Sequence, residues 1–185
     1  EGQSGQIAEV GFSLYTELLE RAVRSIRQGK IPDLDSVDRH GADVELHLPA
    51  LIPDDYLPDV HTRLTLYKRI ASAQNTDALR DLQIEMIDRF GLLPEPVKTM
   101  FAVAELKLAA TALGIRKLDV GEKGGRVIFT PKPNVEPMVV IKLIQSQPRV
   151  FSLDGQDKLK FRLDLPGGAE RLRTARDVLR ALGAR

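Results

Sequence analysis

GIRKLDVGEKGGRVIF, residues 114–129, is where the apolar period of this 185-residue chain changes. Ahead of it apolar side chains recur every three or four positions. From Ile115 they alternate instead, with Leu118 and Val120 before the glycine-rich residues 121–125, and Val127 and Phe129 after them. A period of two belongs to a strand, and glycines between two such runs predict a hairpin. Helical patterns before this point and further strands after it predict an α/β chain of the α+β type. Its core is a small, mainly antiparallel sheet of about five strands packed with helices and preceded by a long N-terminal helix.

Working outward toward the C-terminus, Asn134 is a candidate cap for a short helix carrying Val135, Met138, Val139, Leu143 and Ile144. A second hairpin comes next, with strands near 150–153 and 158–163 around Asp154-Gly155. Leu172, Ala175, Leu179 and Leu182 mark a last helix that closes at Gly183. Toward the N-terminus, Val97, Met100, Phe101, Ala104 and Leu108 predict a helix over about 96–113, stopped by Gly114. Another helix runs from a Thr76 cap to Gly91, with Asp77 near its positive end, and is expected to bury Leu79, Leu82, Met86, Ile87 and Phe90. Pro58 suits the first turn of the helix before it, whose stripe is Val60, Leu64, Tyr67, Ile70 and Ala71.

Residues 43–48 alternate, with Val44, Leu46 and Leu48 on one face and Asp43, Glu45 and His47 on the other, which predicts a half-buried strand. Phe12, Tyr15, Leu19, Ala22, Val23 and Ile26 define a first helix ended by Gly29, and residues 30–42 read as an acidic linker rich in Asp, Gly and Pro. The expected organisation is therefore 1–29, linker 30–42, and a domain over 43–185.

Lys and Arg number 27 against 26 for Asp and Glu, so the net charge of +1 provides no global field to hold nucleic acid or an anionic membrane. The absence of cysteine excludes disulfides, thiol nucleophiles and cysteine-ligated zinc, and fits a reducing compartment. No apolar run approaches the roughly 20 residues needed to span a bilayer. A cytoplasmic setting without membrane contact is the expectation. The chain starts at Glu1 without a Met, within a stretch that reads as a loop, and is expected to be part of a longer polypeptide.

Catalytic signatures are missing. Gly121, Lys123, Gly124 and Gly125 lack the spacing of a phosphate loop and lead into a strand. His40, His47 and His61 have no second ligand at helical metal-site spacing, and Asp54 with Asp55 stands in a proline-flanked turn. No metal and no catalytic residue is expected. Two basic groups are candidate nucleic-acid contacts: Lys158, Lys160 and Arg162 on one strand face, and Arg173, Arg176 and Arg180 on one side of the last helix. Their plainer reading is a charged sheet edge and a solvated helix face, and no aromatic residue interleaves with either for base stacking. On the helix from Thr76 to Phe90, Asp81, Glu85 and Asp88 fall at i, i+4 and i+7 with Arg89 beside them, forming a polar stripe of both signs that could dock on a partner.

Three strings, EGQSGQIAEVGFSLYTELLERAV, LPALIPDDYLPDVHTRLTLYKRIASA and IDRFGLLPEPV, together with GIRKLDVGEKGG, resemble the C-terminal end of the bacterial transcription-repair coupling factors. The resemblance covers most of the chain to about Gly125 and is looser beyond. It implies a multidomain DNA translocase whose ATP- and Mg-dependent motor lies upstream, leaving no cofactor to this part. Gln3 matches the glutamine that closes the family's translocation motif, and the rest of that motif is absent here. The chain beyond the first helix resembles the family's C-terminal regulatory domain, which packs on the N-terminal module that binds the damage-recognition ATPase UvrA. While docked, it masks that module and restrains the motor. Matching EMIDRFG carries the family's contact residues onto Glu85, Asp88 and Arg89. UvrA, RNA polymerase and double-stranded DNA are then indirect partners through the full-length protein.

Overall fold

The computed structural model describes residues 41–185; Gln3, His40, the helix expected through residue 26 and all but the end of the linker lie outside them. Five helices and five strands occur among the described residues. They divide into two compact units, Pro49–Ala104 and Glu105–Arg185, the second together with residues 41–48.

The first unit holds α1 (Val60–Ser72), α2 (Thr76–Phe90) and the first ten residues of α3 (Glu95–Ala112), whose remainder belongs to the second unit. α1 packs on α2. Leu66, Tyr67 and Ile70 of α1, Leu79, Leu82 and Met86 of α2, and Val97, Met100 and Phe101 of α3 are buried at helical spacing. The α2 cap falls one position before the expected Thr76, and α1 starts after Pro58 rather than with it. Asp59 caps α1, accepting hydrogen bonds from the Thr62 amide and hydroxyl, bonds that also hold its carboxyl below the usual range. Pro58 therefore precedes the cap. Asn75 caps α2, its Oδ1 accepting from the Ala78 amide at 2.8 Å, and Thr76 becomes the first helical residue. The Tyr67 hydroxyl, carried into this core, accepts from the Ile52 amide at 2.6 Å, and burial pushes its pKa up to about 12.

The second unit is built on one sheet of order β1-β2-β3-β5-β4, with β1 (Asp43–Glu45), β2 (Ile115–Gly121), β3 (Gly124–Phe129), β4 (Phe151–Leu153) and β5 (Lys158–Arg162). β1 runs parallel to β2 and every other pairing is antiparallel. The hairpin read at residues 121–125 is present, pairing Gly121 with Gly124. Leu118, Val120, Val127, Leu159 and Phe161 alternate inward, and α5 (Gly168–Ala181), packed on β2, adds Ala175, Val178 and Leu179. α4 (Pro137–Ser146) lies against β4 with no residue fully buried. Asn134 does not cap it. The Asn134 amide and side chain instead donate to Leu113 and Ala112, satisfying carbonyls left open at the end of α3.

The strand expected over 43–48 stops at Glu45. His47 adopts φ 55°, and the carbonyls of Leu46 and His47 are taken by Arg171 rather than by a neighbouring strand. Arg171, in α5, is the buried charge among the described residues of this unit, at 5% exposure. Its Nε donates to Leu165 at 2.9 Å, its Nη2 to Pro166 at 3.3 Å, and Nη2 lies 3.6 Å from a Glu122 carboxylate oxygen. The guanidinium fork thus ties the segment after β1 to the turn that leads into α5.

Candidate docking face

Residues three and four apart are neighbours on a helix surface. On α2 this places Asp81, Ile84, Ile87 and Asp88 together on the side opposite the buried Leu79, Leu82 and Met86. All four are exposed. Ile84 is 52% exposed and Ile87 40%, so the expected burial of Ile87 is wrong; the buried stripe is narrower, and Phe90 is only half-buried. Immediately past the helix, Gly91 adopts φ 95° with open space around its α-carbon, and Leu92 follows at 86% exposure.

The expected stripe Asp81, Glu85, Asp88 and Arg89 splits in two. Glu85 turns toward α1, where Arg69 Nη1 and Nη2 donate to its two carboxylate oxygens at 2.5 and 2.9 Å in a bidentate fork. Arg89 Nη1 donates to the same carboxylate at 3.1 Å and its guanidinium sits 4.7 Å from the Phe90 ring centroid, which itself meets Tyr56 edge-on. Tyr56 in turn donates to the Gly91 carbonyl at 2.9 Å. Glu85 and Arg89 are therefore engaged within the unit. Asp81 and Asp88 carry no ion pair or hydrogen bond among the described residues.

The bonds from Arg69, and less strongly those from Arg89, hold the Glu85 carboxyl at about 2, below its ordinary 4.5. A depressed carboxyl contributes stability that is present above its unfolded pKa and lost as pH falls. Acidification from about 4.5 toward 2 is expected to lower the urea midpoint of the wild-type chain more than that of Glu85→Gln. Parallel losses in the two chains would show that the fork contributes nothing.

The basic strand residues lie elsewhere, in the second unit. β5 sits inside the sheet, between β3 and β4, so Lys158, Lys160 and Arg162 do not guard an edge. The cross-strand register sets Ser152, Lys160, Arg126, Asp119 and Glu45 in one row of mixed sign. Lys160 Nζ is 3.1 Å from Asp154, Arg126 3.9 Å from Asp119, and His47 Nε2 2.7 Å from Asp119. A groove of about 650 Å³ borders this row, with Arg149 and Arg162 at its wall. Arg173, Arg176 and Arg180 are exposed on α5, and His61 on the first turn of α1. No group of three or more His, Asp or Glu that could hold a metal occurs among the described residues, and no described helix is long and apolar enough to cross a membrane.

Ile84, Ile87 and Arg171 escape a reading of the sequence alone. A signal exists for Ile84, an apolar residue set between Asp81 and Asp88 on the otherwise polar side. Nothing in the sequence marks Arg171 among its neighbours Arg173, Arg176 and Arg180.

Helices together with a five-stranded, mainly antiparallel sheet make this an α+β chain, and that architecture is shared with a crystal structure of the C-terminal domain of transcription-repair coupling factor. The two superpose with a TM-score of 0.64 over 78% of this chain and 94% of that one, at 20% identity. The chain belongs to the TRCF domain family, whose model matches residues 46–140. It is 47% identical over 98% of its length to the transcription-repair-coupling factor of Escherichia coli K12, and 46% identical to that of Haemophilus influenzae Rd. In both cases it spans 16% of the relative's length. A more distant relative, the factor of Myxococcus xanthus, is 38% identical over 97% of the chain and is covered over 15% of its own length.

Proposed function

We propose that this chain is a non-catalytic regulatory domain that docks the outward face of α2 on the N-terminal, UvrA-binding module of the same polypeptide. Docking masks that module and restrains an ATP- and Mg-dependent DNA translocase motor, in a cytoplasmic protein that couples transcription to excision repair. UvrA, RNA polymerase and double-stranded DNA are reached only through the whole protein. The observation that carries this reading is a pair of carboxylates, Asp81 and Asp88, without a partner among the described residues, on a helix face whose opposite side is buried. Each exposed ion pair contributes only about 0 to 1 kcal/mol. A clasp of this strength can be outcompeted by a partner, as a switch requires.

Charge reversal at Asp81 and Asp88 in the full-length protein is expected to raise ATPase activity and UvrA binding by up to about thirtyfold, the equivalent of losing two such pairs at about 1 kcal/mol each. Unchanged values for both would sink the proposal. Glu85→Lys is a poorer probe, since it also breaks the fork to Arg69.

A second reading, a DNA-contacting accessory surface, draws on the groove beside β4 and β5, where the side chains of Arg149 and Arg162 form no ion pair among the described residues. Affinity for duplex DNA measured against salt separates the two. A phosphate-binding groove gives a steep negative slope, and a protein-docking face gives almost none.

A further inference from the structure

The two isoleucines on the outward face of α2 are unexplained by a purely ionic clasp. Ile84 and Ile87 stand side by side at i and i+3, each exposed by 40% or more, with Asp81 one turn before Ile84 and Asp88 one turn after it. Single exposed apolar residues are ordinary on a soluble protein. Here two are adjacent, at the middle of a face whose charged neighbours Asp81 and Asp88 have no partner among the described residues. An apolar centre with a polar, charged rim is how docking surfaces are generally built, and their free energy concentrates in the centre.

We propose that Ile84 and Ile87 form the anchor of the α2 docking face, and that Asp81 and Asp88 are its rim. The partner surface is then an apolar recess bordered by Lys or Arg side chains. The charge complementarity comes from two exposed carboxylates that are uncompensated among the described residues. The relatives' polypeptides extend far beyond the 16% that this chain spans, so such a recess belongs to another part of the same protein. Glu85 is in this arrangement a positioning residue: it holds α2 to α1 through Arg69 and does not cross the interface. Leu92, held outward just past the Gly91 cap, extends the same end of the helix.

This inference rests on the docking reading above, and its test is arranged so that the two fail separately. In the full-length protein, the double variant Ile84→Ser with Ile87→Ser is compared with the double charge reversal at Asp81 and Asp88, using ATPase activity and UvrA binding as readouts. The serine pair is expected to release the docked state by about tenfold or more, the usual scale for truncating two interface anchors. Its melting temperature should fall by only a few degrees, because Ile84 is already 52% exposed and Ile87 40%. Glu85→Gln should do the reverse, lowering the melting temperature while leaving the docked state closed. If charge reversal opens the protein and the serine pair does not, the anchor is disproved and the docking reading stands. If neither opens it, both fall. Release by the serine pair accompanied by a large loss of melting temperature also overturns the anchor, since the isoleucines would then be part of the fold.

Discussion

Arg171→Ala is expected to lower the unfolding free energy of the chain by about 3 to 5 kcal/mol, read from the urea midpoint, because buried acceptors left without donors cost about 1 to 3 kcal/mol each. The side chain is 5% exposed and serves four carbonyls, those of Leu46, His47, Leu165 and Pro166. Alanine strips all four of their donor and opens a cavity as well. Arg171→Lys keeps the charge, but a single ammonium cannot span carbonyls that the planar fork reaches from three nitrogens, so about half of the loss should remain. Arg171→Met keeps most of the volume and none of the donors. It should fall nearer to alanine than to lysine. A methionine variant as stable as wild type would show that packing, rather than hydrogen bonding, is what the arginine supplies.

The second large effect is expected at Gly124. Its φ of 121° is a conformation that side chains rarely adopt, and a Cβ there would lie 2.1 Å from the Phe161 carbonyl oxygen and 2.9 Å from the Arg162 α-carbon. Both obstacles are backbone of the paired strand β5, so relief requires opening the β3 to β5 ladder. Gly124→Ala should therefore cost about 3 kcal/mol or more, the upper end of what backbone strain alone costs plus the displaced ladder. Gly155 provides the control. It also has positive φ, 82°, but its nearest obstacle is a side-chain oxygen of Asp157 at 3.8 Å, so Gly155→Ala should cost only about 1 kcal/mol. Equal losses at the two positions, in parallel urea titrations, would rule out close approach as the cause.

Legibility varies with the range of the interaction. The β2 to β3 hairpin is readable because alternation and turn glycines are local signals, and all of its determinants lie within residues 115–129. β1 is shorter than its alternation predicts because its end is decided by Arg171, more than a hundred residues away. The α2 cap shifts by one residue since Asn75 and Thr76 are both capping residue types, and only backbone geometry selects between them. The α2 stripe is legible as a surface, but its composition is not. Glu85 and Asp88 are alike in sequence terms, and Arg69 on the neighbouring helix separates one from the other.

Periodicity, glycine placement and charge balance, all properties of short windows, are enough to determine the α+β class, the hairpins, the order of the elements and the helix that offers a polar face. Tertiary structure decides which charges on that face are consumed internally, which isoleucines are left in solvent, and that β5 is an inner strand. Those outcomes depend on pairs of residues brought together by folding, and the free energy that selects them belongs to no single stretch of the chain.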